Sequence, residues 1–215
     1  DYLAQDVLAR QPPALQRFLL TTSVLREMEG STCDHLLEVK DSGATLRRLY
    51  EDGLFVVAVG EGTYRYQHLF HDFLRSRLRE QPERWRALQR RAAEGDRLAG
   101  HREECVYHLL EAEDHQAAAA LLEEIGPELV SLGRFDSLIA WIGRLPPEVR
   151  AGHPGLDLLL GDVCRLRAQF DEALHLYHSA ETRYAAVRDR VGLSLALKGQ
   201  AQVYVDTVRP LRAES

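Results

Sequence analysis

The sequence predicts a mainly α-helical protein. A linker helix and a winged-helix domain with a small β-hairpin fill residues 1–80, and a tetratricopeptide-like α-solenoid, cut inside a repeat, fills 81–215. Three observations predict this. The apolar run Leu54 to Val59 and the stretch Tyr64 to Leu74 (YRYQHLFHDFL) read as strand, turn, strand and then a helix opening at His68. Ahead of them, apolar spacing and chain breakers mark helices, and several helices, a hairpin and a closing helix is the order of a winged-helix domain. Behind them, an apolar stripe recurs every 33–35 residues, the period of paired-helix solenoids.

The first helix places Tyr2, Leu3, Val7 and Leu8 near one face. Gln11-Pro12-Pro13 interrupts it, and proline is tolerated in the first turn of the helix that follows. Leu15, Phe18, Leu19 and Thr22 give that second helix its core stripe. Ser31 or Thr32 is placed to cap a third helix through Val39. Asp41 or Ser42 is placed to cap a fourth through Glu51, with Leu46, Leu49 and Tyr50 inward. Asp52-Gly53 ends it, glycine taking the left-handed stop conformation most easily. The hairpin turns at Gly60-Glu61-Gly62, and the helix from His68 sets Leu69, Phe70, Phe73 and Leu74 on one face.

In the second part, Phe135, Leu138, Ile139 and Ile142 form an i, i+3, i+4, i+7 stripe, repeated by Phe170, Ala173, Leu174 and Tyr177. Arg102, Cys105, Val106 and Leu109 form a weaker copy upstream. A small residue precedes each stripe, namely Gly100, Gly133 and Ala168, which suits a tight turn between antiparallel helices. Leu145-Pro146-Pro147 and His153-Pro154-Gly155 punctuate the array. A last helix is expected from about Asp189 to Thr207, with Pro210 beyond it and no partner helix, so the repeat reads as cut. Met28 is the only methionine, which also suggests a piece of something longer.

Bulk properties narrow the function classes. No apolar run approaches the roughly 18 residues of a membrane span, and no signal-peptide pattern opens the chain. Cys33, Cys105 and Cys164 are widely spaced and odd in number, which reads as free thiols in a reducing, cytoplasmic setting. The net charge of −6 gives no general attraction for nucleic acid. Arg75–Arg102 carries nine arginines against four acids, whereas residues 103–130 hold eight acids and neither lysine nor arginine. Neighbouring segments of opposite sign are best explained by packing on each other or on another domain.

Little in the chain is catalytic. The nearest approach to a phosphate-binding loop, Gly95-x4-Gly100, is followed by His101-Arg102 instead of Lys-Ser/Thr. There is no G-x-S-x-G and no H-E-x-x-H. His101, Cys105 and His108 share a helical face that would suit a transition metal, but a buried Cys105 with histidines at the edge of the repeat core explains them better. His175 and His178 read as a surface pair. No metal, cofactor or catalytic residue is therefore assigned to this chain. Arg47 and Arg48 occupy the slot of a DNA-reading helix, yet Glu38, Asp41, Glu51 and Asp52 flank them. A solvated face is the better reading, and no specific DNA binding is expected. His68 stands where a helix N-terminus follows a wing strand, a place that favours anions; the alternative is an ordinary capping or packing histidine.

Taken in order, YLAQDVLARQPPALQRFLLTTSVL, the Leu54-Phe55 hairpin, YRYQHLFHDFLRSRL, RAAEGDRLAG, LLEAEDHQAAAALLEE and SLGRFDSLIAWIGRLPPEV resemble the middle region of the MalT-like regulators. These are large bacterial signal-transduction ATPases of the STAND class, often grouped with the LuxR family of transcription regulators. The resemblance implies an upstream ATPase domain as partner, with ADP or ATP bound in the full-length protein. It implies that the winged-helix domain clamps ADP in the resting state and that the repeats sense an inducer, a small molecule or a protein. It also implies a histidine reaching the nucleotide β-phosphate. Gln67 takes one of the two places the family often gives to aromatic residues or histidine, which leaves His68 in that role. The other reading, from a different class, is a helical-repeat scaffold that binds a protein and has no nucleotide role. A phosphate-binding loop upstream in the parent gene would separate the two.

Overall fold

The computed structural model describes residues 2–213, and the side chains of residues 4–208. The chain divides into two compact units, Asp1–Glu113 and Asp114–Ser215. The sequence reading begins the repeats at residue 81; by packing, the two helices after that point lie in the first unit.

The first unit runs α1 (Tyr2–Arg10), α2 (Pro13–Thr22), α3 (Gly30–Leu37), α4 (Ser42–Glu51), β1 (Val56–Gly60), β2 (Thr63–Tyr66), α5 (His68–Arg79), α6 (Pro82–Ala99) and α7 (Arg102–Glu111). Of the apolar positions foreseen on α1, Leu8 is buried, while the Tyr2 and Leu3 side chains lie outside the described residues. The core gathers Phe18 and Leu19 of α2, Leu36 of α3, Leu46 and Leu49 of α4, and Phe70, Leu74 and Leu78 of α5. The hairpin is antiparallel, with Val56 opposite Tyr66 and the turn at residues 61–62. A third backbone pairing escaped the sequence reading: Met28 and Tyr64 exchange both N–H···O bonds, at 2.7 and 2.9 Å. Met28 is fully buried, so one bridge ties the segment after α2 to the wing and fills the core at once. Inside, the Thr22 hydroxyl lies 2.7 Å from the Tyr66 hydroxyl and donates to Phe18 O, which satisfies a polar pair that burial would otherwise penalise.

Several expectations change on inspection. α3 begins at Gly30, with Glu29 as its cap residue and no side-chain cap bond from Ser31 or Thr32. Neither Asp41 nor Ser42 caps α4 through its side chain; Asp34, on α3, accepts from the Ser42 N–H at 2.8 Å instead. The cap thus comes from a preceding helix, which no local pattern displays. Tyr50 is exposed, not inward, and tilts against Tyr64 at 5.9 Å. Leu69 is 82% exposed, because one residue past His68 it falls on the outer face while Phe70 and Leu74 turn in.

The opposite charges of the two segments do meet, arginines of α5 and α6 pairing with acids at and just past the end of α7. Glu111 takes Arg79 at 2.9 Å and Arg75 at 3.3 Å, and Arg86 reaches Glu113 at 2.7 Å. The half-buried Arg75–Glu111 pair also lies beside the Trp85 ring, whose indole N–H donates to Glu111 O at 3.1 Å.

The second unit contains α8 (His115–Ser131), α9 (Phe135–Gly143), α10 (Pro147–Gly152), α11 (Gly155–Leu166), α12 (Phe170–Ala186) and α13 (Arg190–Ala213). Successive helices α8–α9, α11–α12 and α12–α13 pack on each other. Their connections are three residues long, and the middle residue is left-handed each time: Gly133 (φ 70°), Ala168 (φ 58°) and Arg188 (φ 58°). Gly100 takes the same conformation (φ 79°) between α6 and α7. The small residues foreseen before each stripe are therefore helix stops. In the stripes, Leu138, Ile142, Ala173 and Tyr177 are buried, Phe135 and Leu174 are partly buried, and Ile139 is exposed. Tyr177 lies between two glycines: a Cβ on Gly161 or Gly199 would come within 2.7 or 2.4 Å of its ring. α13 continues through Pro210 to Ala213, past the stop expected near Thr207, and Asp189 caps its start by accepting from Val191 and Gly192 N–H.

Candidate functional site

α5 opens directly after β2, with Gln67 as the cap residue in an extended conformation and without a side-chain cap bond. The first-turn N–H groups of such a helix point outward with partial positive charge. His68 is the first residue of the helix and its side chain is 87% exposed, so the ring is presented outward and packs into no core. Its Nδ1 stands 3.3 Å from the Asp72 carboxylate one turn on, which orients the ring and turns Nε2 toward solvent. The i, i+4 spacing made Asp72 legible in the sequence, although it was not singled out there. Asp72 also brings negative charge close to the helix start, so any anion here depends on the ring and backbone donors together.

Leu69 continues the outward face and adjoins a cleft of about 450 Å³ that it shares with Asp72, Phe73 and Arg77. The neighbouring histidine behaves differently. His71 is largely buried, its Nε2 lies 2.8 Å from Ser23 O, and burial pushes its pKa below the ordinary imidazole value. Its role is to fasten α5 to the end of α2.

Arg47 and Arg48 are both exposed on α4, and Arg48 lies 3.6 Å from Asp52. That matches a solvated, acid-flanked face.

In the second unit a cleft of about 890 Å³ lies among α8, α11, α12 and α13, lined by Tyr184, Asp162, Arg165, Lys198 and Gln202 among others. Arg165 bonds Asp206 at 2.8 Å, and the Tyr177 hydroxyl donates to Asp162 at 2.7 Å. Mixed polar and aromatic walls of this kind suit a ligand that both stacks and hydrogen-bonds.

The metal-like trio forms no ligand set. His101 is exposed at the start of α7, the Cys105 thiol is buried and donates to Ala93 O at 3.3 Å, and His108 is buried, not at the edge of the core. His175 and His178 are exposed, and His178 sits 3.2 Å from Glu181. Among the described residues no group of three or more His, Cys, Asp or Glu is arranged to hold a metal ion. Nor is any described helix long and apolar enough to cross a membrane.

Helices, hairpin and closing helix define the first unit as a winged-helix module, with paired helices following it. Residues 4–87 match the family model of the MalT winged helix domain. Over 99% of its length it is 24% identical to the HTH-type transcriptional regulator MalT of Vibrio parahaemolyticus serotype O3:K6 (strain RIMD 2210633), covering 24% of that protein. The MalT of Serratia proteamaculans (strain 568) is 28% identical over the whole chain, again across 24% of the relative. The serine/threonine-protein kinase PknK of Mycobacterium tuberculosis (strain ATCC 25618 / H37Rv) is 29% identical over 97% of the chain and 20% of its own length. The chain thus spans between a fifth and a quarter of these curated relatives.

Proposed function

We propose that this chain is the regulatory and sensor region of a STAND-class signal-transduction ATPase that controls transcription. In this reading the winged-helix domain docks on the protein's own upstream ATPase domain and holds the ADP-bound resting state. His68 donates to the nucleotide phosphate. The helical repeats bind the inducer, a small molecule or a protein. The chain itself catalyses nothing, and DNA is read by another module.

The observation that carries the reading is His68 as the exposed first residue of α5, its ring oriented by Asp72 and set among outward N–H donors. A packing histidine would be buried as His71 is. Support also comes from the relatives' names. One is named an HTH-type transcriptional regulator and another a serine/threonine-protein kinase, yet both are similar to this chain over nearly its whole length, which fits a switch that serves different outputs.

A hydrogen bond to a charged phosphate is worth roughly 1.5–3 kcal/mol. Present only in the resting state, it biases the resting–active equilibrium by that amount. His68→Ala in the full-length protein should therefore weaken ADP retention and raise basal transcription, leaving the fold of this region intact. Wild-type ADP affinity and wild-type basal output in that variant would return His68 to a plain surface histidine. The competing reading, a protein-binding repeat scaffold with no nucleotide role, predicts that unchanged result, and predicts no phosphate-binding loop upstream in the parent gene.

A further inference from the structure

Between α6, α7 and the segment after α2 lies a cleft of about 530 Å³ that no part of the proposed switch uses. Its lining carries Glu27, Glu29, Asp96 and Glu104 against Arg26 and Arg65, so carboxylates outnumber guanidinium groups. Arg26 is already committed: it forms a two-pronged bond with Glu104 and lies 4.4 Å above the Tyr107 ring.

Asp96 is different from the rim acids. It is 6% exposed, yet it lines the cleft, and its Oδ2 is buried without a hydrogen bond. The groups facing it are His101 just before α7, Glu104, Cys105 and His108 on α7, and Arg26 from the segment after α2. The nearest imidazole nitrogens, His108 Nε2 at 3.4 Å and His101 Nδ1 at 3.6 Å, are both beyond a good hydrogen bond. His108 cannot readily become the missing cation. Burial drives its pKa down to about 3, and its Nδ1 is held 2.5 Å from Gln89 Oε1.

A buried carboxylate oxygen that accepts no hydrogen bond is costly; with Arg26 bound to Glu104 and His101 held at 3.6 Å, a hydrogen-bonding cation is the group that offsets the cost. The geometry points to this cleft as a binding site for a small aliphatic ammonium ligand, its –NH₃⁺ group seated on Asp96 and its remainder running out past Glu27 and Glu29. The electrostatics of Asp96 agree. Desolvation, with Glu104 adding to it and His101 and Arg26 opposing, raises the carboxyl to about 6, so proton and ammonium compete for the same carboxylate around that pH.

The test is calorimetric titration of the chain with 1,4-diaminobutane and butylamine, with 1,4-butanediol as a neutral control of similar length. Both amines should saturate and the diol should not. Affinity should fall as pH drops through about 6. Binding near that pH should release protons, read from heats in two buffers of different ionisation enthalpy. Asp96→Asn should weaken the amines at least ten-fold; should that variant misfold, the pH profile and proton release of the wild-type chain still decide. No saturation by either amine at millimolar concentration, equal binding of the diol, or unchanged affinity in a folded Asp96→Asn variant would each overturn the proposal.

Discussion

Gly199→Ala gives the sharpest test of how the repeats pack. A Cβ at this position would stand 2.4 Å from Tyr177 Cε1 and 2.6 Å from Cζ. Ordinary carbon contacts lie at about 3.5–4 Å, so the ring would have to retreat by about 1 Å. Its freedom is limited: the ring also packs tightly on Gly161, where a Cβ would stand 2.7 Å from the same Cε1, and the hydroxyl is tied to Asp162 at 2.7 Å. Overpacking of this kind costs about 1–3 kcal/mol, and so short an approach places it near the upper end; against it alanine contributes up to about 1 kcal/mol of helix propensity. A net loss of about 2 kcal/mol is expected. With the ring removed, the clash goes and only the propensity gain remains. In a Tyr177→Ala background, itself destabilised by roughly 3–5 kcal/mol, Gly199→Ala should therefore stabilise by up to about 1 kcal/mol. The coupling energy is about 3 kcal/mol, at the upper end for residues in contact. The two tryptophans fall one to each unit, so urea unfolding followed by Trp141 fluorescence in a Trp85→Phe background reports on the second unit alone. Gly143→Ala, whose Cβ would meet nothing within 4 Å, is the control. A neutral Gly199→Ala, or an effect of the same sign in both backgrounds, would refute the claim that Tyr177 is wedged between the helices.

Other outcomes follow from the same contacts. Leu138→Ala should cost about 2–5 kcal/mol while Ile139→Ala on the same helix stays within about 0.5 kcal/mol, since the first is fully buried and the second exposed; equal losses in urea midpoints would mean the buried face is misassigned. Gly133→Ala should lose about 1–2 kcal/mol through its left-handed backbone alone, measured against Gly143→Ala. His71 is neutral when folded and its pKa lies below the ordinary 6.5, so unfolding takes up a proton and stability falls as pH drops below 6.5 toward the folded value; His71→Gln should remove that part of the slope in thermal melts at pH 7 and 5.5. A selection from random duplexes at near-physiological salt should return no enriched motif, and a motif lost on replacing Arg47 and Arg48 would make α4 a DNA reader.

How far the sequence could be read depended on whether a signal was local. The α4 stop at Gly53, the hairpin turn and the opening of α5 at His68 each rest on residues within one turn of the event, and all were legible. The α4 cap came from Asp34, eight residues back, and the Met28–Tyr64 bridge joins residues 36 apart, so neither had a local trace. The repeat stops show the limit of residue type as a guide. Gly133 and Ala168 announced themselves as small residues, whereas Arg188 holds the same conformation with a long side chain and was passed over. A left-handed residue other than glycine costs roughly 1–2 kcal/mol, so the stop is imposed by packing of the flanking helices and not by the residue. Apolar spacing failed where a stripe was taken as wider than the face it covers. Leu69 and Ile139 are adjacent in sequence to inward positions and both turn outward.

That error bears on the candidate site. Reading Leu69 as core left its surface out of the candidate site around His68. With Leu69 82% exposed beside an outward His68, the first turn of α5 presents an imidazole and an aliphatic group together. Exposed leucine carries a solvation penalty that a capping role would not require. On the proposed reading it has a use: the surface that brings a phosphate to His68 would cover Leu69 at the same time. The two substitutions then separate the contributions. His68→Ala removes a bond to the nucleotide and should show itself only when nucleotide is bound. Leu69→Ala removes apolar contact with the docked domain and should loosen the resting state with or without nucleotide. If Leu69→Ala in the full-length protein left basal output and ADP retention unchanged while His68→Ala altered both, the phosphate contact would stand, and docking across this face would not.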